Sequence, residues 1–215
     1  MATYKHPLRL LRNAQGLALI EFAFVAPVLI LLVLGGIEIT RFVNITLRVD
    51  KAVYDLANII AQSPPATSPA TAGQLDAALL NTHLGLFTNL MRPHGDLTRQ
   101  TVIVTSFRRE GAANILRWRA QGGGSLATDV VSIASAGARG SAVTFPADVT
   151  TQLTTMMPNE TALVIEVFYR YQPFLQPVLA SFGITNAPQT ITRRLFFNGR
   201  EGALKDLPPT FPIIP

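Results

Sequence analysis

Between Leu17 and Ile39 the chain runs for 23 residues in which only Glu21 and Glu38 are charged. From Phe22 to Ile37 no residue is charged, and most are Leu, Val, Ile, Phe or Ala. As a helix rising ~1.5 Å per residue this stretch is roughly 34 Å long, enough for a hydrocarbon core of ~30 Å. It therefore predicts a segment that faces lipid or other apolar helices. Glu21 breaks the pattern, because a carboxylate inside a bilayer costs several kcal/mol unless it is neutralised or paired. Snorkelling to the interface is the plain account of an acid about one turn into the run. The alternative is a partner that neutralises it.

Residues 1–16 are short, free of acids and basic at Lys5, Arg9 and Arg12, like the positively charged region of a targeting segment. Basic residues ahead of the first apolar helix favour a cytoplasmic N-terminus and an exported C-terminal part. Beyond Ile39, Phe42, Ile45, Val49, Ala52, Leu56 and Ile59 recur at steps of three and four, with Asn44, Arg48, Lys51, Asp55 and Asn58 on the other side. With no Pro or Gly between Ile37 and Gln62, this predicts one helix from Leu17 to about Ala61: an apolar span over 17–39 and an amphipathic continuation over 40–62 that packs on the protein's own sheet. Pro27 lies inside the span, where it removes a backbone hydrogen bond, a loss that membrane helices tolerate.

Residues 63–73 carry three prolines and no charge, the composition of an extended linker. A second helix is predicted from residue 73 or 74 to Leu90, burying Leu75, Leu79, Leu80, Leu84 and Phe87, with a turn at 92–96. Strands are predicted at 101–107, 115–119, 162–171 and 189–198, where β-branched and aromatic residues concentrate. The stretch 129–155 reads as loops with a short helix near 148–156, residues 173–182 as a loop or short helix, and the proline-rich tail as extended. Helices first and strands after give an α+β fold in which a long N-terminal helix packs on a small antiparallel sheet. Residues 74–215 form the domain carrying that sheet.

The chemistry-bearing residues are sparse. The chain has no cysteine, which excludes disulfides, thiolate metal sites and cysteine nucleophiles. His6, His83 and His94 lack metal-ligand spacing, no G-x-S-x-G elbow occurs, and Gly122-Gly123-Gly124-Ser125 lacks the lysine of a phosphate-binding loop. Glu160 and Glu166 can be imagined as paired carboxylates, but Glu166 reads as an ordinary solvent-facing acid on a strand. Trp118, Tyr169 and Tyr171 read as core aromatics, and Arg193-Arg194 as the solvent end of a strand. These residues predict no enzyme, no cofactor, no metal and no small-molecule substrate. The net charge of +5 falls to +2 once the three basic residues of the leader are set aside, and the remaining arginines form no cluster for nucleic acid.

Gly16, then Leu17 to Ile20, then Glu21-Phe22 and a long apolar run resembles the processing site of type IV prepilins. In that family a membrane peptidase cuts after the glycine, which would make Leu17 the mature N-terminus and Glu21 its fifth residue. More narrowly, Glu21-Phe22-Ala23, Pro27, Gly35-Gly36-Ile37-Glu38 and Arg41 resemble a TadE/TadG-type pseudopilin of the tight-adherence pilus system, as does the later stretch from Val164 to Pro173. The resemblance implies a pilin-like fold and processing at Gly16, Leu17, Glu21 and Phe22. It also implies assembly through Glu21 and Pro27. The expected partners are a prepilin peptidase, other pilins, the inner-membrane assembly platform and membrane lipid, with the C-terminal domain periplasmic or extracellular. Phe22 stands where major pilins of this system usually carry Tyr, and the chain is far longer than those subunits, so the resemblance implies a minor, accessory subunit. The rival reading is a signal-anchored or secreted periplasmic binding protein, because Phe22 to Leu34 has the length of a signal-peptide core.

Overall fold

The structure, a computed structural model, describes residues 14–62, 77–92, 97–122, 138–145, 160–181, 183 and 188–198. Its elements are α1 (Ala14–Ala61), α2 (Ala77–Leu90), a 3-10 turn at Leu97–Arg99, β1 (Gln100–Glu110), β2 (Ala113–Gly122), β3 (Thr161–Tyr171), α3 (Gln176–Ser181) and β4 (Gln189–Asn198). A long N-terminal helix packs against a small antiparallel sheet, as the order of elements predicts. The chain divides into two compact units, Met1–Val43 with Pro173–Asn186, and Asn44–Gln172 with Ala187–Pro215.

In the second unit the four strands run in the order β2-β1-β3-β4, every neighbour antiparallel. β1 and β2 form a hairpin whose last pair is Glu110 with Ala113. Gly111 takes φ 62° there, the left-handed conformation that tight hairpin turns require and glycine supplies without a Cβ penalty. The β1–β2 register slips by one residue between Ser106 and Phe107, leaving Arg117 of β2 without an opposite number, a β-bulge. β2 is longer at both ends than 115–119. Residues 138–145 extend its outer edge instead of forming a detached loop: Leu116 N–H donates to Ser141 O (2.9 Å), Val143 N–H to Asn114 O (2.7 Å) and Gly140 N–H to Leu116 O (2.8 Å).

Because paired residues of antiparallel strands project to the same side, the register sorts the sheet into two faces. One carries Val102, Val104, Trp118, Ala120, Leu163, Ile165, Val167, Tyr169 and Tyr171, all buried. The helices lie against it. Gln100 Nε2 donates to Thr88 Oγ1 of α2 at 2.8 Å, and Arg193 of β4 ion-pairs with Asp50 of α1. A Cβ on Gly122 would run into the Leu84 Cβ of α2, so glycine is what lets α2 and β2 approach this closely. From α1 this core receives Ile45, Val49, Ala52, Val53, Leu56, Ala57 and Ile60; Phe42 and Ile59, predicted on the stripe, are only half-buried. From α2 it receives Leu80, Leu84 and Phe87, with Met91 just beyond the helix.

The opposite face is also buried. Phe107, Leu116, Ala162 and Val164 pack with Val143 and Phe145, the rings of Phe107 and Phe145 lying 5.0 Å apart and tilted by 56°. Further along, Ile103 meets Phe168. Between these apolar groups sits Glu166, fully buried and not solvent-facing as its strand position predicts; its carboxylate accepts from Arg194 Nε at 3.1 Å. Arg119 is buried on the same face: burial lowers its pKa and the nearby Glu166 charge opposes that shift. Arg193 and Arg194 are thus both ion-paired, one to each side of the sheet, and are not a free solvent end.

Of the remaining expectations, the leader up to residue 13, the linker 63–73, the start of the second helix at 73–76, residues 93–96 of the turn, Gly123-Gly124-Ser125, the helix near 148–156 and the proline-rich tail lie outside the described residues.

Candidate functional site: an exposed apolar helix with an acid near each end

Every site residue singled out in the sequence lies on the first part of α1. The helix starts at Ala14, three residues before the predicted start, so the Gly16–Leu17 peptide lies within its first turns. Gly16 is half-buried, while Leu17, Glu21, Phe22 and Pro27 are all exposed. Leu17 and Glu21 are four residues apart and share a helix face, one turn apart, with Phe24 and Val28 continuing the same row. Pro27 sits in the helix interior without ending it. Among the described residues Glu21 has no hydrogen-bond or ion-pair partner.

The exposure is what sets this segment apart. Leu19, Phe22, Phe24, Leu31, Leu32 and Ile39 each leave about two-thirds or more of their surface uncovered. A soluble fold does not leave so many large apolar side chains in one contiguous patch, since patches beyond a few hundred Å² mark a contact surface. Among the described residues α1 is also the helix long and apolar enough to cross a membrane, and none of that apolar window is buried. A long apolar N-terminal helix of this kind is consistent with membrane anchoring.

Near the end of the apolar run lies a contact that the sequence did not disclose. Glu38 Oε2 accepts a hydrogen bond from the backbone N–H of Phe174, at 3.2 Å, just ahead of α3. Nothing in the local pattern of either residue announces this pairing across 136 positions. The sheet likewise holds a charged cluster, Glu166 with Arg194 and Arg119, but Glu166 is completely enclosed and offers no surface to a substrate. Among the described residues no group of three or more His, Asp or Glu side chains is placed to hold a metal ion.

Residues 16–58 match the model of the TadE-like protein family. The match begins at the glycine of the proposed processing site, covers the apolar run and the sheet-packing stripe of α1, and includes none of the sheet. No curated protein and no solved structure matches the chain.

Proposed function

We propose that this chain is a minor pseudopilin of a tight-adherence type IV-like pilus. A prepilin peptidase cuts it after Gly16, and it assembles through its N-terminal helix. The observation that carries the reading is the coincidence of the TadE-like match with a helix whose apolar surface is exposed and carries Glu21 near its start. Residues 1–16 are the leader, 17–39 cross the inner membrane, 40–62 continue the helix onto the domain, 63–73 link, and 74–215 are exported.

Cleavage exposes an α-amino group on Leu17. Its ordinary pKa of ~7.7–8.0 keeps it cationic in neutral water. Side-by-side packing brings that cation to the Glu21 carboxylate of a neighbouring subunit, and pairing removes the cost of burying either charge alone. Phe22 and Pro27 shape the same contact, one by its ring and the other by the backbone hydrogen bond it withholds. The partners are the peptidase, other pilins, the assembly platform and membrane lipid. Assembly through an apolar helix needs no catalysis.

The test is the N-terminus and intact mass of the protein recovered from membranes, with and without the peptidase. A chain beginning at Leu17 only when the peptidase is present supports the reading. A chain beginning near Gly36 indicates a secreted domain, and an uncut Met1 indicates a plain anchor; either refutes it. Glu21→Ala is expected to insert normally but to co-purify with partner pilins less, and unchanged co-assembly would remove the charge pairing from the mechanism.

A further inference from the structure

Residues 171–192 contain no charged side chain, a 22-residue gap between Arg170 and Arg193. In a chain that otherwise scatters its arginines, this is the longest uncharged stretch in the sequence. It contains Phe174, Leu175, Val178 and Leu179, with Pro173 and Pro177 stiffening the backbone on either side of the entry to α3. Its central part, Pro173–Asn186, belongs to the same compact unit as the apolar part of α1 and not to the sheet unit. The contact that fixes its level is the Phe174 N–H to Glu38 Oε2 hydrogen bond, made one residue before the apolar run ends. Phe174 is 39% exposed beside it, and Pro177 is exposed as well.

We infer that residues 173–181 form a second, interfacial membrane contact, lying in the headgroup layer around the outer end of the apolar helix. This rests on the reading of α1 as a membrane anchor. With Leu17 to Ile39 spanning the hydrocarbon, Glu38 stands at the boundary where the polar layer begins. A segment hydrogen-bonded there either excludes lipid or lies among it, and its chemistry suits the second case. It has no charge to desolvate, it presents apolar side chains, and a short helix satisfies part of its backbone, as interfacial segments require. The Phe174 amide, ahead of the helix and without an intrahelical acceptor, is satisfied by Glu38. The same hydrogen bond supplies Glu38 with a donor at a depth where water is scarce, which explains an acid so close to hydrocarbon.

The absence of native cysteine makes the test direct. Phe174→Cys, Pro177→Cys and, as a reference, Phe24→Cys are each labelled with an environment-sensitive fluorophore. The full chain is reconstituted into vesicles of phosphatidylcholine and phosphatidylglycerol bearing nitroxide lipids, quenching either at the headgroup or deep in the acyl chains. The expected result is loss of fluorescence at 174 and 177 from the shallow nitroxide, and at 24 from the deep one. Quenching at 24 with none at 174 or 177 overturns the interfacial contact while leaving the anchor intact. Quenching at no position overturns the anchor reading, and the inference with it.

Discussion

Replacing Glu166 by Gln keeps the shape of the side chain and removes its charge. Glu166 is fully buried, its carboxylate is held by Arg194 at 3.1 Å, and Arg119 lies buried on the same sheet face under its influence. Removing one member of a buried ion pair typically costs ~3–5 kcal/mol, because the remaining charge is left enclosed without compensation. Here the Arg194 side chain is 39% exposed and can turn toward water, whereas Arg119 is only 8% exposed and cannot. The cost is therefore set at the low end, ~3 kcal/mol, which in a protein of this size lowers the melting temperature by roughly 6–12 °C. Arg194→Gln loses the charge-assisted hydrogen bond but leaves Arg119 near the carboxylate, for ~1–2 kcal/mol. Unfolding of the full chain in detergent micelles can be followed through Trp118, the sole tryptophan, which is fully buried in β2. If Glu166→Gln melts within the error of the unaltered protein, or above Arg194→Gln, the idea of one carboxylate shared by two guanidinium groups is wrong.

Gly122→Ala is expected to destabilise by ~1–2 kcal/mol, an overpacking cost of ~1–3 kcal/mol partly offset by the stiffer unfolded chain. Leu84→Ala should not rescue it, because the obstructing atom is the Leu84 Cβ that alanine retains; a double-mutant cycle on denaturation midpoints checks this. Asp50→Asn breaks a half-exposed pair with Arg193 and should cost only ~0.2–1 kcal/mol, shrinking further as salt is added to the melt. His83 is held below its ordinary pKa of 6.5 by burial, so on acidification the unfolded chain takes up its proton first. Stability should then fall as pH drops below about 6.5 and stop falling from this source once pH is under the folded value. The pH dependence of the urea midpoint should be flatter in His83→Gln.

Much of this molecule is legible in its sequence because its signals are periodic. The stripe from Ile45 to Leu56 predicts both the helix and its buried side, and β3 and β4 stand out by their β-branched and aromatic residues. What the sequence hides depends on register. Ile60 is buried and Ile59 only half-buried, although both stand at helical spacing from Leu56, so spacing alone does not choose between them. Glu166 reads as a surface acid because alternation along β3 says which residues share a face, not that both faces are covered; its partner Arg194 is fixed only by the β3–β4 pairing. The Glu38 contact with Phe174 is invisible for the same reason. In the candidate site, the helix and its bare apolar surface follow from composition alone, while the role of Glu21 rests on what lies outside this chain.

The order of strands in the sheet also sets an order in time. The β1–β2 hairpin closes across two residues, but β1 cannot pair with β3 until the chain has looped back from Gly122 to Thr161. Such non-local closure is slow relative to local turns. β4 emerges last from any machinery that delivers the chain from its N-terminus, and it brings Arg194. Until then the β3 that pairs with β1 has only Arg119 of β2 near its Glu166 carboxylate, and the hydrogen bond from Arg194 is missing. The last strand to pair thus completes two things at once, the edge of the sheet and the charge compensation of the acid enclosed beneath it.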